Sequence, residues 1–411
     1  MGERVRRLRA GMRRFATRDL PILLGLFAVM FAVMAFSGKW PMKRNTYNSY
    51  ALQASSWLEG RLDLKENYAH LELAEYDGKY YVSFPPFPSV VLLPFCAIFG
   101  TDTPDNWIAL AVTALGVLYA LRLCRRVAPK ATLGRVTLLT LFFFLSNGYV
   151  FIGVLGGWVW YLAQCLCITL SLMALCYAFE GKGTPSLACW ACAVGCRPMV
   201  AVYLPLLAYM LCRAHGQKPL PLLRRRWYWV ICPAVIAGFY MALNYARFGS
   251  ITEFGHTYLP EFMSVQTGQF HPSYILQNLR DIMRLPAVGE EGKLSFFKFN
   301  GMAVWMLSPM FVVALAAWLC AAIRRGRENL FTLIAVPVMA ALHLVILLMH
   351  KTMGGWHFGN RYLLDIMPYL LYGILCWMPQ SEVFDLWCLP PALLGAAINL
   401  IGTVATYNSW I

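Results

Sequence analysis

Arg361 and Asp365 stand four residues apart in the stretch MGGWHFGNRYLLDIMPYLL, which begins at Met353 between two apolar runs. Charges at the mouth of a membrane helix are costly, so both residues are candidates for function. The planar fork of an arginine grips two phosphate oxygens at once, and the start of a helix adds the positive end of its dipole. At helical spacing Asp365 lies on the same face one turn further in, where its expected role is to pair with Arg361 and fix its side chain. An anchor that snorkels to lipid headgroups is the competing role for Arg361. The glycine-rich approach MGGWHFGN would be superfluous for an anchor, whereas it serves close backbone approach to a ligand. His350, Lys351 and His357 are neighbours able to assist in holding an anion.

The elements that must position these residues follow from composition. The chain has 411 residues, of which 59% are hydrophobic and 13% charged, more apolar sequence than one soluble core can absorb. Apolar runs lie near residues 20–37, 105–123, 135–151, 156–179, 185–197, 199–213, 227–246, 301–323, 329–349, 361–378 and 385–407, which predicts an all-α integral membrane protein of about 11 transmembrane helices. With the N-terminus in the cytoplasm, the cytoplasmic segments hold 21 of the 35 Lys and Arg but 6 of the 20 Asp and Glu, and the remainder balances at 14 and 14. The net charge of +15 therefore falls on one side, as the positive-inside rule requires, and no nucleic-acid partner is implied. No small-residue cleavage site follows the first apolar run, so a retained signal anchor and a multi-pass protein of the inner (cytoplasmic) membrane are expected.

This topology divides the chain into a basic cytoplasmic N-terminus (1–19), a first transmembrane helix (20–37), an external loop (38–104), helices two to seven (105–246), a second external segment (247–300), and helices eight to eleven (301–411) with an external loop at 350–360. Three polar segments thus share the external face, where the site is expected. In the first loop, Tyr47, Ala51, Ala54 and Leu58 fall at helical spacing with Trp57 beside them and Gly60 as the stop, the pattern of a short amphipathic helix. Asp77-Gly78 predicts a hairpin turn, the prolines of FPPFPS break regular structure, and VVLLPFCAIFG is too short to span and suits a surface or re-entrant helix. The thirteen cysteines lie in or beside apolar runs, which argues against an external disulfide framework, and the Cys189, Cys192, Cys196 spacing reads as packing rather than metal binding. No Walker motif, dinucleotide turn or zincin motif is present, and no internal repeat points to a common transporter plan.

The landmarks GRLDL, HLELAEYDGKYYVSFPPFPSVVLLPF, GCRP, NYARFGSITEFGHTY and GGWHFGNRYLLDIMPYLL, in this order from about Asn45 to Tyr369, resemble those of bacterial multi-helix membrane glycosyltransferases of the GT-C class, in the family 39-like group. The resemblance implies a GT-C-like bundle with two external loop segments and transfer of a sugar from a polyprenyl-phosphate donor to an acceptor on the external face, using a loop carboxylate and no nucleotide. The acceptor would be a glycan, lipid or protein. Such chemistry needs a cation for the departing phosphate and a carboxylate to deprotonate the attacking hydroxyl, which reaches the anomeric carbon in line and inverts it. Of the acids in the first loop, Asp77 is spent on the turn and Glu59 is a helix-end charge; Glu72 matches the acidic position of the family's loop motif and ranks first as base, with Asp63 second. The sequence departs from better-known members of the class between Ser37 and Gln53, which holds Asn45 and Asn48 but no acid. Arg197 at an external turn, and Arg247, Glu253, His256 and Tyr258 at the start of the second segment, are candidates to line the phosphate or acceptor side of the cavity, with the tail of that segment from Gly268, GQFHPSYILQNLRDIMRLPAVGEEGKLSFFKFNG, as a lid. No cofactor is required by the pattern; the carboxylates could bind a divalent metal, but their spacing does not demand one. The rival reading is a lipid or polyprenyl-phosphate transporter or flippase, which would use the same arginine without catalysis.

Overall fold

The structure is a computed structural model and describes residues 13, 15–43, 45–288, 294–324, 330–379 and 381–411. Most of the basic N-terminus and the loop at 325–329 lie outside the described residues. The helices that build the bundle are α1 (Leu20–Phe36), α2 (Ser49–Leu58), α3 (Phe87–Phe99), α4 (Asp105–Val127), α5 (Leu133–Leu145), α6 (Tyr149–Val154), α7 (Val159–Phe179), α8 (Gly183–Val194), α9 (Leu204–His215), α10 (Ile231–Phe248), α11 (Tyr274–Met283), α12 (Met310–Ile323), α13 (Leu330–Leu348), α14 (Met367–Trp377) and α15 (Glu382–Tyr407). Every predicted apolar run is helical, and among the described residues seven helices are long and apolar enough to cross a membrane.

The remaining runs are shorter or interrupted, two of them for a clear local reason. The run at 135–151 divides into α5 and α6 because the Asn147 amide donates to the Phe143 carbonyl (2.6 Å) and its oxygen accepts from the Tyr149 amide (2.8 Å), side-chain bonds that replace helical ones. The run at 361–378 starts as a 3-10 turn, Arg361–Ile366, before α14, whose first turn carries Pro368. Helix α7 is apolar and buried on nearly all sides and forms the axis of the bundle, packed against α4 and α8. Small residues permit this closeness: a Cβ at Gly116 of α4 would stand 2.7 Å from the Thr169 hydroxyl of α7.

The first external loop folds as expected in outline. Helix α2 ends at Gly60 (φ +76°), and β1 (Leu73–Tyr76) pairs antiparallel with β2 (Lys79–Val82) through Asp77 and Gly78, both at positive φ, as a two-residue hairpin turn requires. The buried face of α2 is formed by Tyr50, Ala51, Gln53, Ala54 and Ser56 and packs on α3, while Leu58 is exposed. Leu58 was placed on the inner face by spacing alone; the polar Gln53 and Ser56 take that side because Ser89 of α3 meets Gln53 Oε1 at 2.8 Å.

Candidate functional site

The site begins with how the 3-10 turn presents Arg361. Its Nη1 donates to the Trp160 carbonyl at the start of α7 (3.3 Å), and its Nη2 donates to the Gly354 carbonyl. The guanidinium rests near the rings of Tyr161 (5.6 Å) and Tyr362 (5.1 Å). Among the described residues no carboxylate lies in ion-pair range of it, and its buried Nε–H has no partner. The guanidinium is therefore held in place by two carbonyls, and among the described residues its other three N–H groups have no hydrogen-bond acceptor. Gly354, at φ +117°, is what allows this: a Cβ there would press on Arg361 Nε at 3.2 Å and on Tyr362 at 3.1 Å. The glycine approach thus serves close packing of the backbone on the arginine itself.

The neighbouring acid behaves differently from its spacing. Asp365 pairs with Arg197 (2.7 Å) and accepts from Gln164 of α7 (2.9 Å), and it does not touch Arg361. A 3-10 turn has three residues per turn, so a residue four positions on is rotated by about a third of a turn and leaves the face it would share in an α-helix. Arg197, at the corner between α8 and the 3-10 turn before α9, lies over the Tyr362 ring at 4.5 Å and faces the same cavity system as Arg361.

Glu72 reaches this region from the first loop. Its side chain accepts from Trp160 Nε1 (3.0 Å), and its carbonyl accepts from the Ser83 hydroxyl (3.1 Å). The hairpin end is tied down in turn: Arg247 Nη1 donates to the Val82 carbonyl (3.2 Å), and His256 Nδ1 lies 3.2 Å from the Ser83 carbonyl. Glu72 and Arg361 line one cavity of about 680 Å³, together with His256, Glu261, His350 and aromatic side chains from the loop and from α7. A narrower recess of about 80 Å³ shares Trp160, His256, His350, Arg361 and Tyr362 with it and adds Arg197 and apolar residues such as Val159, Met199 and Leu347. Enclosure by protein raises the Glu72 carboxyl above its ordinary range, against the hydrogen bond from Trp160, and the nearby Glu261 adds to the rise. Burial holds His256 at about 4 and His350 at about 3, so both imidazoles are neutral at pH 7.

The other predicted residues fall outside the lining. Asp63 sits beside Arg61 (3.9 Å), away from the cavity. Arg247 is buried against Phe248 as a strut for the hairpin, Glu253 caps its own turn by accepting from the Gly255 amide (2.5 Å), and Tyr258 packs on Tyr76 (4.8 Å). Lys351 donates to the Glu261 carbonyl (2.5 Å), which ties the second external segment to the 350–360 loop. His357 is fully buried beneath that loop, with Nδ1 at 2.9 Å from the Gly355 carbonyl, and burial holds it at about 3. The lining residues that spacing missed are Glu261 and the aromatic side chains of the α7 start; WVWYLAQ read as an interfacial belt carries no sign of a site. Among the described residues no group of three His, Cys, Asp or Glu side chains is placed to hold a metal ion. A divalent ion in this cavity would have Glu72 and Glu261 as protein ligands and complete its shell from phosphate and water.

No protein-family model matches the chain, and no curated protein matches it by sequence. Solved structures do match. ArnT from Cupriavidus metallidurans bound to undecaprenyl phosphate aligns over 95% of this chain and 76% of its own, with TM-score 0.51 and 12% identity. The apo state of the same protein gives 0.50 over 95% and 77%, at 13% identity. The chain has the GT-C fold. The archaeal oligosaccharyltransferase AglB from Archaeoglobus fulgidus, in complex with an inhibitory peptide and a dolichol-phosphate, aligns less well, with TM-score 0.47 and 12% identity over 93% of this chain and 56% of its own. At such identities the likeness establishes the GT-C architecture, and the activity must be argued from the cavity.

Proposed function

We propose that this protein transfers a sugar from a polyprenyl-phosphate donor to an acceptor hydroxyl. The observation that carries the reading is the meeting in one cavity of Glu72 and Arg361, an arginine with no carboxylate in ion-pair range among the described residues. Arg361 holds the donor phosphate with its unused N–H groups. Glu72 takes the proton of the acceptor hydroxyl, whose oxygen attacks the anomeric carbon from the side opposite the phosphate. The bond from that carbon to the phosphate oxygen breaks, its electron pair leaves with the polyprenyl phosphate, and the configuration inverts. The shared fold with ArnT, which has been seen with undecaprenyl phosphate, supports the class of donor. The distribution of basic residues supports a cytoplasmic N-terminus and a site on the external face of the inner membrane. The acceptor is a glycan, lipid or protein hydroxyl.

The test is release of undecaprenyl phosphate from a synthetic undecaprenyl-phosphate sugar, supplied with a membrane extract as acceptor source, by the wild type, Glu72→Gln and Arg361→Ala. Release by the wild type and its loss in both variants is expected. Full release in both variants would sink the assignment, and movement of the lipid across vesicles without release would favour a flippase.

A further inference from the structure

Resting on the glycosyl-transfer reading, we propose that the donor sugar is a pyranose that packs against an aromatic cluster formed by Tyr47, Trp158 and Trp160. Tyr47 comes from the first loop and the two tryptophans from the start of α7; the Val159 amide donates to the Tyr47 carbonyl (3.0 Å) and fixes loop to helix. The Tyr47 ring lies 4.6 Å from Trp158 and 5.0 Å from Trp160, and the tryptophans are 6.1 Å apart. The rings are tilted by 51°, 46° and 67° to one another, and in such contact they leave no room between them for a cation, so they form an angled cluster and not an ammonium cage. All three line the large cavity and are partly exposed in it.

The edges of this cluster carry the groups that orient an occupant. Trp160 donates to Glu72 at one side (3.0 Å), and its carbonyl accepts from Arg361 at the other (3.3 Å). A molecule gripped by its phosphate at Arg361 therefore places the next group along, the sugar, on the rings and within reach of the carboxylate. The electron-rich faces of aromatic rings favour the weakly positive C–H face of a pyranose, while its hydroxyls meet the polar rim. A lipid tail would gain from the rings but would strand Glu72 against hydrocarbon, which disfavours it as the occupant.

The experiment compares binding of two probes, bare undecaprenyl phosphate and undecaprenyl phosphate carrying one hexose, to the full-length protein in nanodiscs by thermophoresis. The wild type is expected to bind the hexosyl lipid about tenfold more tightly, the size of one aromatic stacking contact. Trp158→Ala is expected to erase that difference while keeping its affinity for the bare lipid, which also reports that the variant is folded. Should Trp158→Ala lose the bare lipid as well, Tyr47→Leu decides by the same comparison. Equal binding of both probes by the wild type, or an intact preference in the variant that still binds the bare lipid, overturns the inference alone. A wild type that binds neither probe overturns the glycosyl-transfer reading and this inference with it.

Discussion

Two corners of the cavity each present an arginine, and their surroundings are opposite. At the α8–α9 corner, Arg197 is neutralised by Asp365, whose side chain is 0% exposed and is also held by Gln164. At the corner before α14, Arg361 is more enclosed, at 5% exposed against 21% for the Arg197 side chain, and among the described residues it meets carbonyls and rings but no carboxylate in ion-pair range. A buried charge with a partner is structural, and removing the partner is expensive; a buried charge without one is a standing cost that only a ligand offsets. The difference supports the proposed roles: the Arg197–Asp365 pair as the lock of the corner beside the turn, and Arg361 as the residue that takes the donor phosphate.

Substitutions that separate the two corners give the largest effects. Glu72→Gln is expected to lower kcat by about 10²–10⁴ with KM little changed, because the general base is lost while donor binding is kept. Arg361→Met is expected to abolish transfer yet keep or raise Tm, since it removes an uncompensated buried charge, and Arg361→Lys to recover only part of the activity because it lacks the bidentate fork. Asp365→Asn should do the reverse, lowering stability by about 3–5 kcal/mol in denaturant unfolding as Arg197 is left unpaired. If Arg361→Met and Asp365→Asn were to lose stability equally, the contrast between the corners would be wrong.

The pH dependence probes the same cavity less drastically. As the proposed base Glu72 acts in its ionised form, so its raised pKa is expected to move the acid limb of kcat/KM above the ordinary carboxylate range. The histidines act on stability, which they also weaken toward acid. His256 and His350 are held at about 4 and about 3 in the folded protein, below the unfolded value, so folding excludes protons that the unfolded chain takes up. Their stability contribution is complete above pH of about 6.5 and declines below it by about 1.4 kcal/mol per pH unit for each histidine until the folded pKa is reached. Thermal unfolding followed from pH 7 to pH 5 should show a slope that His350→Gln reduces. The smallest effect is expected for Asp63→Asn, whose partner Arg61 is at the surface, with kcat/KM changed by less than about twofold.

What the sequence made legible follows the range of the interactions concerned. Helices, the Asp77-Gly78 hairpin and the stop at Gly60 depend on local spacing and turn chemistry, and the chain spells them out. Glu72 and Arg361 were readable as residue types at interfacial positions, with resemblance to the GT-C class ranking Glu72 above Asp63. The partner of Asp365 was not, because a switch from α to 3-10 winding rotates a side chain four residues on by about a fifth of a turn and no hydrophobic period marks it. Arg247 and Tyr258 read as cavity residues from their polarity, but both serve docking of the hairpin, a contact across 165 residues of chain in the case of Arg247. Trp158 and Trp160 escaped for the converse reason: aromatic residues at a helix mouth are ordinary membrane anchors, and only the fold brings Tyr47 against them.

The central claim, that Arg361 is the phosphate ligand, is tested most directly by the affinity of the purified protein for undecaprenyl phosphate in the wild type and in Arg361→Met. A loss of about a hundredfold in affinity, with Tm unchanged or higher, is the predicted result. Equal affinity in the two proteins would contradict it.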